Sequence, residues 1–261
     1  MKSAIIFLFI IFSAGCSMQT VESQKQMENS PSETANMQPK QMVLVELFTS
    51  EGCSSCPPAD KALIFLQNEQ PVPQAEIITL SFHVDYWNYL GWKDEFSSPL
   101  FSQRQENYGR KFKISSIYTP QMVVDGQKEF VGNNSGNAVN AVLEAAKLKK
   151  AKVELVLSDN LLKINITEIS KTENATVFVV IAEDNLASKV KRGENSGQVL
   201  EHASVVRELK SVGSVNNSNS TFSAETTLQI QSNWKKENLK IIVFVQENES
   251  RKILGVSRIG I

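Results

Sequence analysis

Two closely spaced cysteines are the residues of this chain best suited to chemistry. Cys53 and Cys56 are separated by two serines, and they lie between a run typical of a buried strand and a segment with helical spacing. At a helix N-terminus this spacing brings two sulfurs close enough to bond and is expected to leave Cys53 exposed. Unpaired amides and the helix dipole favour a negative charge there, and such sites lower a cysteine pKa from about 8.5 to roughly 3.5–7.5. The pair is therefore predicted to perform thiol–disulfide exchange, with Cys53 as nucleophile and Cys56 as resolving cysteine.

Other interpretations of the pair are open. A purely structural disulfide would close a very short loop and contribute about 2 kcal/mol, against about 4.7 kcal/mol for a hundred-residue loop. A zinc site would add His83 or His202, but zinc wants about four ligands at recognisable spacing and only one cysteine pair is clustered. Thiolates also select Cu(I), so a copper-handling protein using the pair and His83 is an alternative. A third class is a non-catalytic lipoprotein that binds an envelope partner. For the leading interpretation we expect no metal and no cofactor.

The N-terminal segment has the layout of a bacterial export signal. One positive charge at Lys2 precedes the apolar run 4–12, which is too short to span a bilayer. Residues 13–16, Ser-Ala-Gly-Cys, resemble the lipobox of bacterial lipoproteins. That resemblance implies cleavage after residue 15 and lipidation of Cys16; the alternative is an ordinary signal peptide with an incidental cysteine. Because the chain has three cysteines, lipidation of one leaves Cys53 and Cys56 as a pair in a compartment where disulfides persist.

The segment that follows the signal, residues 16–40, is poor in large apolar residues and is predicted to be a flexible tether. We therefore expect the protein in the bacterial cell envelope, anchored in the membrane through the lipid on Cys16. In a Gram-negative source it would lie on the outer membrane and face the periplasm. The formal net charge of −1 gives no reason to expect nucleic acid as a partner. The expected partners are protein thiols or disulfides of the envelope.

Two segments with different hydrophobic patterns come after the tether. In residues 41–148, buried-strand runs alternate with helical spacings in the order β-α-β-α-β-β-α, which predicts a central sheet with helices on its faces. In residues 151–261, apolar residues alternate at period two between Asn-, Ser- and Gly-rich turns, which predicts a small β-sandwich. Residues 201–209 fit either a helical turn or a strand. The two segments are expected to form separate domains.

Several motifs in this chain resemble those of thioredoxin-fold proteins. They are the runs 44–46, 108–114 and 117–126. The segments Phe-Thr-Ser-Glu-Gly-Cys-Ser-Ser-Cys-Pro-Pro-Ala-Asp at 48–60 and His-Val-Asp-Tyr-Trp at 83–87 more closely resemble a family of secreted thioredoxin-like proteins of uncharacterised function. The similarity extends from residue 41 to the Arg-Gly-Glu-Asn stretch at 192–195. The expected fold is an α/β thioredoxin-like domain followed by a mostly-β sandwich-like domain.

The resemblance also implies roles for individual residues. Thr119-Pro120 matches the position of a cis-proline that faces the cysteines, in a loop that receives the extended backbone of a substrate. Glu46 matches the buried acid that assists proton transfer beneath the second cysteine. This chain has one more residue between that acid and the pair than thioredoxin does, and a plain surface glutamate is the alternative interpretation of Glu46.

His83 and Trp87 belong to an aromatic and polar stretch after the second long strand, near the expected cysteine face. They are candidates for substrate binding or for a proton relay beside Cys53. The alternative is that the aromatic side chains cover the core and that His83 makes a structural hydrogen bond. In the second segment, a solvated loop or a domain contact is expected for Arg192, Glu194, His202 and Arg207.

Overall fold

The structure is a computed structural model that describes residues 40–261 together with Leu8. Apart from Leu8 and Lys40, the residues predicted as signal peptide, lipidation site and tether lie outside the described residues. Within the part of the chain that is described, no helix is long and apolar enough to cross a membrane.

The secondary structure of the described part begins with strands and helices in alternation and ends with strands alone. The strands are β1 (Gln41–Thr49), β2 (Ala75–His83), β3 (Gln121–Val124), β4 (Lys128–Val131), β5 (Lys152–Ser158), β6 (Leu161–Thr167), β7 (Asn174–Glu183), β8 (Leu186–Lys189), β9 (Val199–His202), β10 (Val205–Asn216), β11 (Phe222–Thr227), β12 (Leu239–Glu247) and β13 (Ile253–Gly260). The helices are α1 (Pro57–Glu69), α2 (Pro99–Phe112) and α3 (Ser135–Ala145), with short 3₁₀ turns at Asn88–Leu90 and Lys236–Asn238. The order β-α-β-α-β-β-α predicted for residues 41–148 is confirmed.

One eight-stranded sheet forms the centre of the molecule, in the order β13-β12-β7-β10-β2-β1-β3-β4. β1 and β2 are parallel, and β3 pairs with β1 in the antiparallel direction. β10 continues the sheet beside β2 through a pairing of Val205 with Ser81. The fold is thus mixed α/β, with a large, mostly-β sheet and three α-helices in the described part.

The relation between the two segments differs from the expectation of separate domains. Strands β7, β10, β12 and β13 come from the second segment and complete the sheet that β1–β4 begin. β5, β6 and β11 form a three-stranded sheet of their own, and Leu162 and Ile164 of β6 share a hydrophobic core with Val243 of the large sheet. Periodicity identifies strands but not their distant partners, so the shared sheet was not visible in the sequence. Residues 201–209 belong to strands apart from a bend at Ala203 and Ser204, because β9 ends at His202 and β10 begins at Val205.

The two faces of β1 contact different helices. Since side chains alternate along a strand, Val43, Val45 and Leu47 pack in a core with residues of α1 and α3. Leu44 and Phe48 pack in a second core with residues of α2. This division decides which side chains of β1 can reach the N-terminus of α1.

Candidate functional site

A disulfide joins Cys53 and Cys56 at the start of α1, and their Cα atoms are 5.4 Å apart. Cys56 is the N-cap of the helix, and Pro57 and Pro58 occupy its first turn, where a missing N–H costs no intrahelical hydrogen bond. Ahead of the helix the chain turns tightly: the Cys53 N–H donates to the Ser50 carbonyl at 3.1 Å, and the Cys56 N–H donates to the Cys53 carbonyl at 3.2 Å. A cysteine pair held in this way is compatible with redox activity.

The expectation that Cys53 is exposed is wrong. Cys53 is 1% exposed and Cys56 is 0% exposed. The loop 190–198 between β8 and β9, here called the cover loop, lies against the cysteine turn. From it, Asn195 donates hydrogen bonds to the carbonyl oxygen of Glu51 at 2.9 Å and to that of Cys53 at 3.0 Å. Rules for a helix N-terminus describe local geometry, so they could not foresee a cover from a distant part of the chain.

A second contact fixes the cover loop on the exposed side of the cysteine turn. The N–H of Ser54 donates to Oε2 of Glu194 at 3.1 Å, across 140 residues of sequence. The hydrogen bonds from Ser54 lower the pKa of Glu194. Glu194, for which a solvated loop or a domain contact was expected, therefore makes a contact with the cysteine turn itself.

Trp87 connects the cysteine turn to the proline loop. The Thr119–Pro120 peptide bond is cis, as the resemblance implies. The indole N–H of Trp87 donates to Oγ1 of Thr119 at 2.8 Å. Trp87 also lies against Gly52, where an added Cβ would come within 3.1 Å of the Trp87 Cβ. Because Gly52 directly precedes Cys53, Trp87 lies between the cysteine turn and the proline loop and contacts both of them.

Glu46 is buried, with its carboxylate on the face of the sheet opposite α1. Its Oε1 accepts a hydrogen bond from Nε of Arg104 at 2.6 Å, and its Oε2 accepts one from the hydroxyl of Tyr108; both partners lie on α2. The extra residue between Glu46 and the cysteines shifts the alternation by one, which turns this side chain to the other face. The structure therefore does not bring Glu46 to Cys56, and the surface interpretation is wrong as well, since Glu46 is 0% exposed.

A buried ionic group lies where α1 begins. Nε2 of His202 is 3.3 Å from Oε1 of Glu51, and Nδ1 of His202 is 3.8 Å from Oδ1 of Asp60. Thr49 donates to the other oxygen of Asp60 at 3.3 Å. Burial disfavours the charged imidazole, but the carboxylates of Asp60 and Glu51 outweigh burial and raise the pKa of His202 to about 10.

His83 and Asp94 extend this ionic group toward the insertion after β2. Nδ1 of His83 is 2.7 Å from Oδ2 of Asp94, which also accepts the N–H of Glu51 at 2.9 Å. The rings of His83 and His202 meet edge to face, with centroids 4.8 Å apart, and Nε2 of His83 has no hydrogen-bond partner. Burial acts to raise the pKa of Asp94, but the charge and hydrogen bond of His83 outweigh it, so that the pKa lies below its ordinary value.

Both histidines of the chain thus lie in one buried His–carboxylate cluster beside the cysteine turn. Its members are Glu51, Asp60, His83, Asp94 and His202. Among the described residues, no three or more His, Cys, Asp or Glu side chains converge as they would to hold a metal ion. The cluster brings titratable side chains into contact with one another beside two cysteine sulfurs that are bonded to each other.

Sequence reasoning missed most of this cluster. Glu51 and Asp60 flank the cysteines within the motif, so their position was a usable signal. Asp94 and His202 carried no local signal, because a loop and a short strand from elsewhere in the chain bring them to the site.

Comparison with known proteins assigns a family to this chain. A family model described as a protein of unknown function, DUF1223, matches residues 44–246, which include the cysteine pair, the cis-proline and the cover loop. The chain belongs to the DUF1223 family. Among solved structures, the fold is similar to that of protein AGR_C_4864 from Agrobacterium tumefaciens, with 28% identity, a TM-score of 0.69, and coverage of 85% of this chain and 95% of that one.

A more distant likeness shows the fold alone. HBP35 of Porphyromonas gingivalis has 14% identity, a TM-score of 0.61, and coverage of 86% of this chain and 76% of that one. No curated protein matches this chain. DUF1223 membership thus gives a family without an activity.

Proposed function

We propose that this DUF1223 protein is an exported thiol–disulfide oxidoreductase that acts through Cys53 and Cys56. The observation that carries the proposal is the disulfide at the N-cap of α1. A cross-link over so short a loop adds little stability, whereas the free amides of a first helical turn favour a thiolate. Redox chemistry accounts for the position of this bond better than stability does.

The finer proposal for the fold is a thioredoxin-like arrangement of β1 through α3. Its support is the parallel pair β1 and β2 joined through α1, the antiparallel hairpin β3–β4, and α3 after it. The cis bond at Thr119–Pro120, directly ahead of β3, adds to that support.

The proposed reaction passes through a mixed disulfide. The thiolate of Cys53 attacks a disulfide of a partner protein, the client; one client sulfur leaves with the electron pair, and the other stays bonded to Cys53. Cys56 then attacks Cys53 and releases the second client sulfur as a thiolate. The reverse sequence oxidises a client dithiol. Thr119, Pro120 and Trp87 are the proposed client contacts, because the hydrogen bond of Trp87 to Thr119 lies beside the turn that carries Cys53.

Because Cys53 is covered, the cover loop has to move before a client reaches it. The side chain of Asn195 holds the carbonyl of Cys53 directly. Withdrawal of Asn195 is therefore part of the proposed cycle. The observed rate of attack on a client then depends on the rate at which the cover loop opens.

The envelope location rests on the sequence of residues 1–16. We propose lipidation of Cys16 and, in a Gram-negative source, attachment to the outer membrane. Incorporation of labelled palmitate by the wild-type chain in a bacterial host, and its loss in Cys16→Ala, tests this. Equal labelling of both chains contradicts it.

Trapping of the intermediate tests the proposed chemistry. We expect reduced Cys56→Ser protein, mixed with a peptide disulfide, to hold one peptide as a stable mixed disulfide on Cys53, seen as one added mass. Cys53→Ser is the matched control and should hold none. Equal adducts on both variants, or none on either, would contradict the mechanism.

A further inference from the structure

Asp60 is the member of the His–carboxylate cluster with a route to water. Both cysteines are almost completely buried, and Asp60 is 6% exposed. Asp60 lines a pocket of about 250 Å³ between the start of α1 and β9, together with Lys61 and Glu201. This pocket is bounded by α1 and β9, whereas Trp87 and the cis-proline loop contact the turn ahead of the helix.

Asp60 lies one helical turn after Cys56. Cys56 has helical backbone angles, φ −80° and ψ −37°, and the Asp60 N–H donates to its carbonyl at 3.1 Å. Residues four apart on a helix are neighbours, with Cβ atoms about 5–6 Å apart. Thr49 donates a hydrogen bond to Oδ2 of the Asp60 carboxylate at 3.3 Å, and Nδ1 of His202 lies 3.8 Å from Oδ1.

We propose that Asp60 takes the proton of Cys56 and passes it to water in the pocket between α1 and β9. The inference rests on the proposed function, because a proton has to leave Cys56 only if this cysteine resolves a mixed disulfide. Clients and protons would then use different sides of the helix N-terminus. Asp60 is the catalytic residue of this step, and His202 is a positioning residue.

The step balances as follows. With a client bonded to Cys53, the thiol proton of Cys56 moves to the carboxylate of Asp60. The resulting thiolate attacks Sγ of Cys53, the bond from Cys53 to the client sulfur breaks, and that sulfur leaves as a thiolate with the electron pair. The client disulfide has gained two electrons in all, the cysteine pair has lost two, and Asp60 releases its proton to water.

Charged and polar side chains from several neighbouring elements surround Asp60. The cation of His202, on β9, lies beside Asp60. Glu51, in the turn after β1, contacts the opposite nitrogen of the same His202 ring. Thr49 on β1 is neutral, His83 and Asp94 lie behind His202, and Lys61 and Glu201 are exposed in the pocket wall. The cation of His202 therefore lies next to the carboxylate that would receive the proton.

Two-phase kinetics test the step. Reduced protein mixed with excess dithiobis(nitrobenzoate) releases coloured thiol first on attack by Cys53 and again on closure by Cys56. In Asp60→Asn we expect the second phase to slow about 100-fold and the first to stay within about twofold. Glu201→Gln makes the same carboxylate-to-amide change in the same pocket and should alter neither phase. Unchanged closure in folded Asp60→Asn would overturn the inference.

Two further measurements keep the test decisive. In wild type, closure should stay fast below the ordinary thiol pKa of about 8.5; a tenfold fall per pH unit below that value contradicts an assisting base, whether or not Asp60→Asn folds. In His202→Gln closure should slow while the first phase stays unchanged, because the Asp60 carboxylate loses the ring beside it; unchanged closure contradicts the role of His202. Wild type that releases no coloured thiol contradicts the proposed function itself.

Discussion

The amide of Asn195 donates a hydrogen bond to the main-chain carbonyl of Cys53 at 3.0 Å, from a position 142 residues further along the chain. A second bond from the same amide reaches the carbonyl of Glu51 at 2.9 Å. The turn that carries the nucleophile is thus fixed by a side chain from the cover loop. Access to the disulfide and stability of this loop are therefore linked.

Removal of the Asn195 amide should uncover the disulfide. In Asn195→Ala we expect reduction by a small dithiol to accelerate about tenfold and the free energy of unfolding to fall by about 1–3 kcal/mol, because two buried carbonyls lose their donor. Thiol-labelling kinetics and urea unfolding measure the two effects. Ser196→Ala, in the same loop, should change neither. An unchanged reduction rate in Asn195→Ala would contradict a covering role.

Trp87 should matter for clients more than for small reagents. Trp87→Phe keeps an aromatic ring against Gly52 but loses the hydrogen bond to Thr119. We expect attack on a peptide disulfide to slow about fivefold, the equivalent of about 1 kcal/mol, while attack on dithiobis(nitrobenzoate) is unchanged. Tyr89→Phe, which alters an exposed ring nearby, is the control. Equal effects on both substrates would refute the assignment of Trp87 to client binding.

Glu46 should support the fold and leave the redox chemistry alone. Glu46→Gln leaves the buried guanidinium of Arg104 without its carboxylate, and breaking such a pair costs about 3–5 kcal/mol. We expect that loss in denaturant unfolding, with both phases of coloured-thiol release unchanged in the folded variant. Glu106→Gln removes an exposed partner on α2 and should cost less than about 1 kcal/mol. A slowed second phase in Glu46→Gln would contradict this, because it would show that Glu46 assists the closure by Cys56.

His202 should make stability depend on pH on the alkaline side. Its pKa rises from 6.5 to about 10 in the fold, where the carboxylates of Asp60 and Glu51 outweigh burial. Since the folded value is the higher one, its ionic contribution is fully present below about pH 6.5 and is lost as the pH rises through about 10. We expect wild type to exceed His202→Gln by about 3 kcal/mol below pH 6.5, and the difference to shrink toward pH 10. A difference in the free energy of urea unfolding that stays constant with pH would rule out this contribution of His202. Lys189→Gln on β8 is the control and should show no such pH dependence.

The parts of the site that the sequence predicted correctly belong to local motifs. The Cys53–Cys56 disulfide and the cis bond at Thr119–Pro120 each depend on a few adjacent residues. The alternation of strands and helices over residues 41–148 likewise follows from periodicity within short windows.

Contacts between distant residues account for the rest. His202 meets Glu51 across 151 residues, and no local pattern at either residue announces the other. The face occupied by Glu46 depended on a single residue of register, which inverts every side chain of a strand. The shared sheet depended on the pairing of β10 with β2, which joins Val205 to Ser81.

A redox titration of the cysteine pair tests the central claim most directly. The wild-type protein is equilibrated in a series of dithiol–disulfide buffers, and the fraction of reduced Cys53 and Cys56 is read from the gel shift of a thiol-reactive label. We expect one reversible two-electron transition between about −120 and −270 mV, absent in Cys53→Ser. A bond that stays oxidised below about −300 mV, as structural disulfides do, would contradict an oxidoreductase.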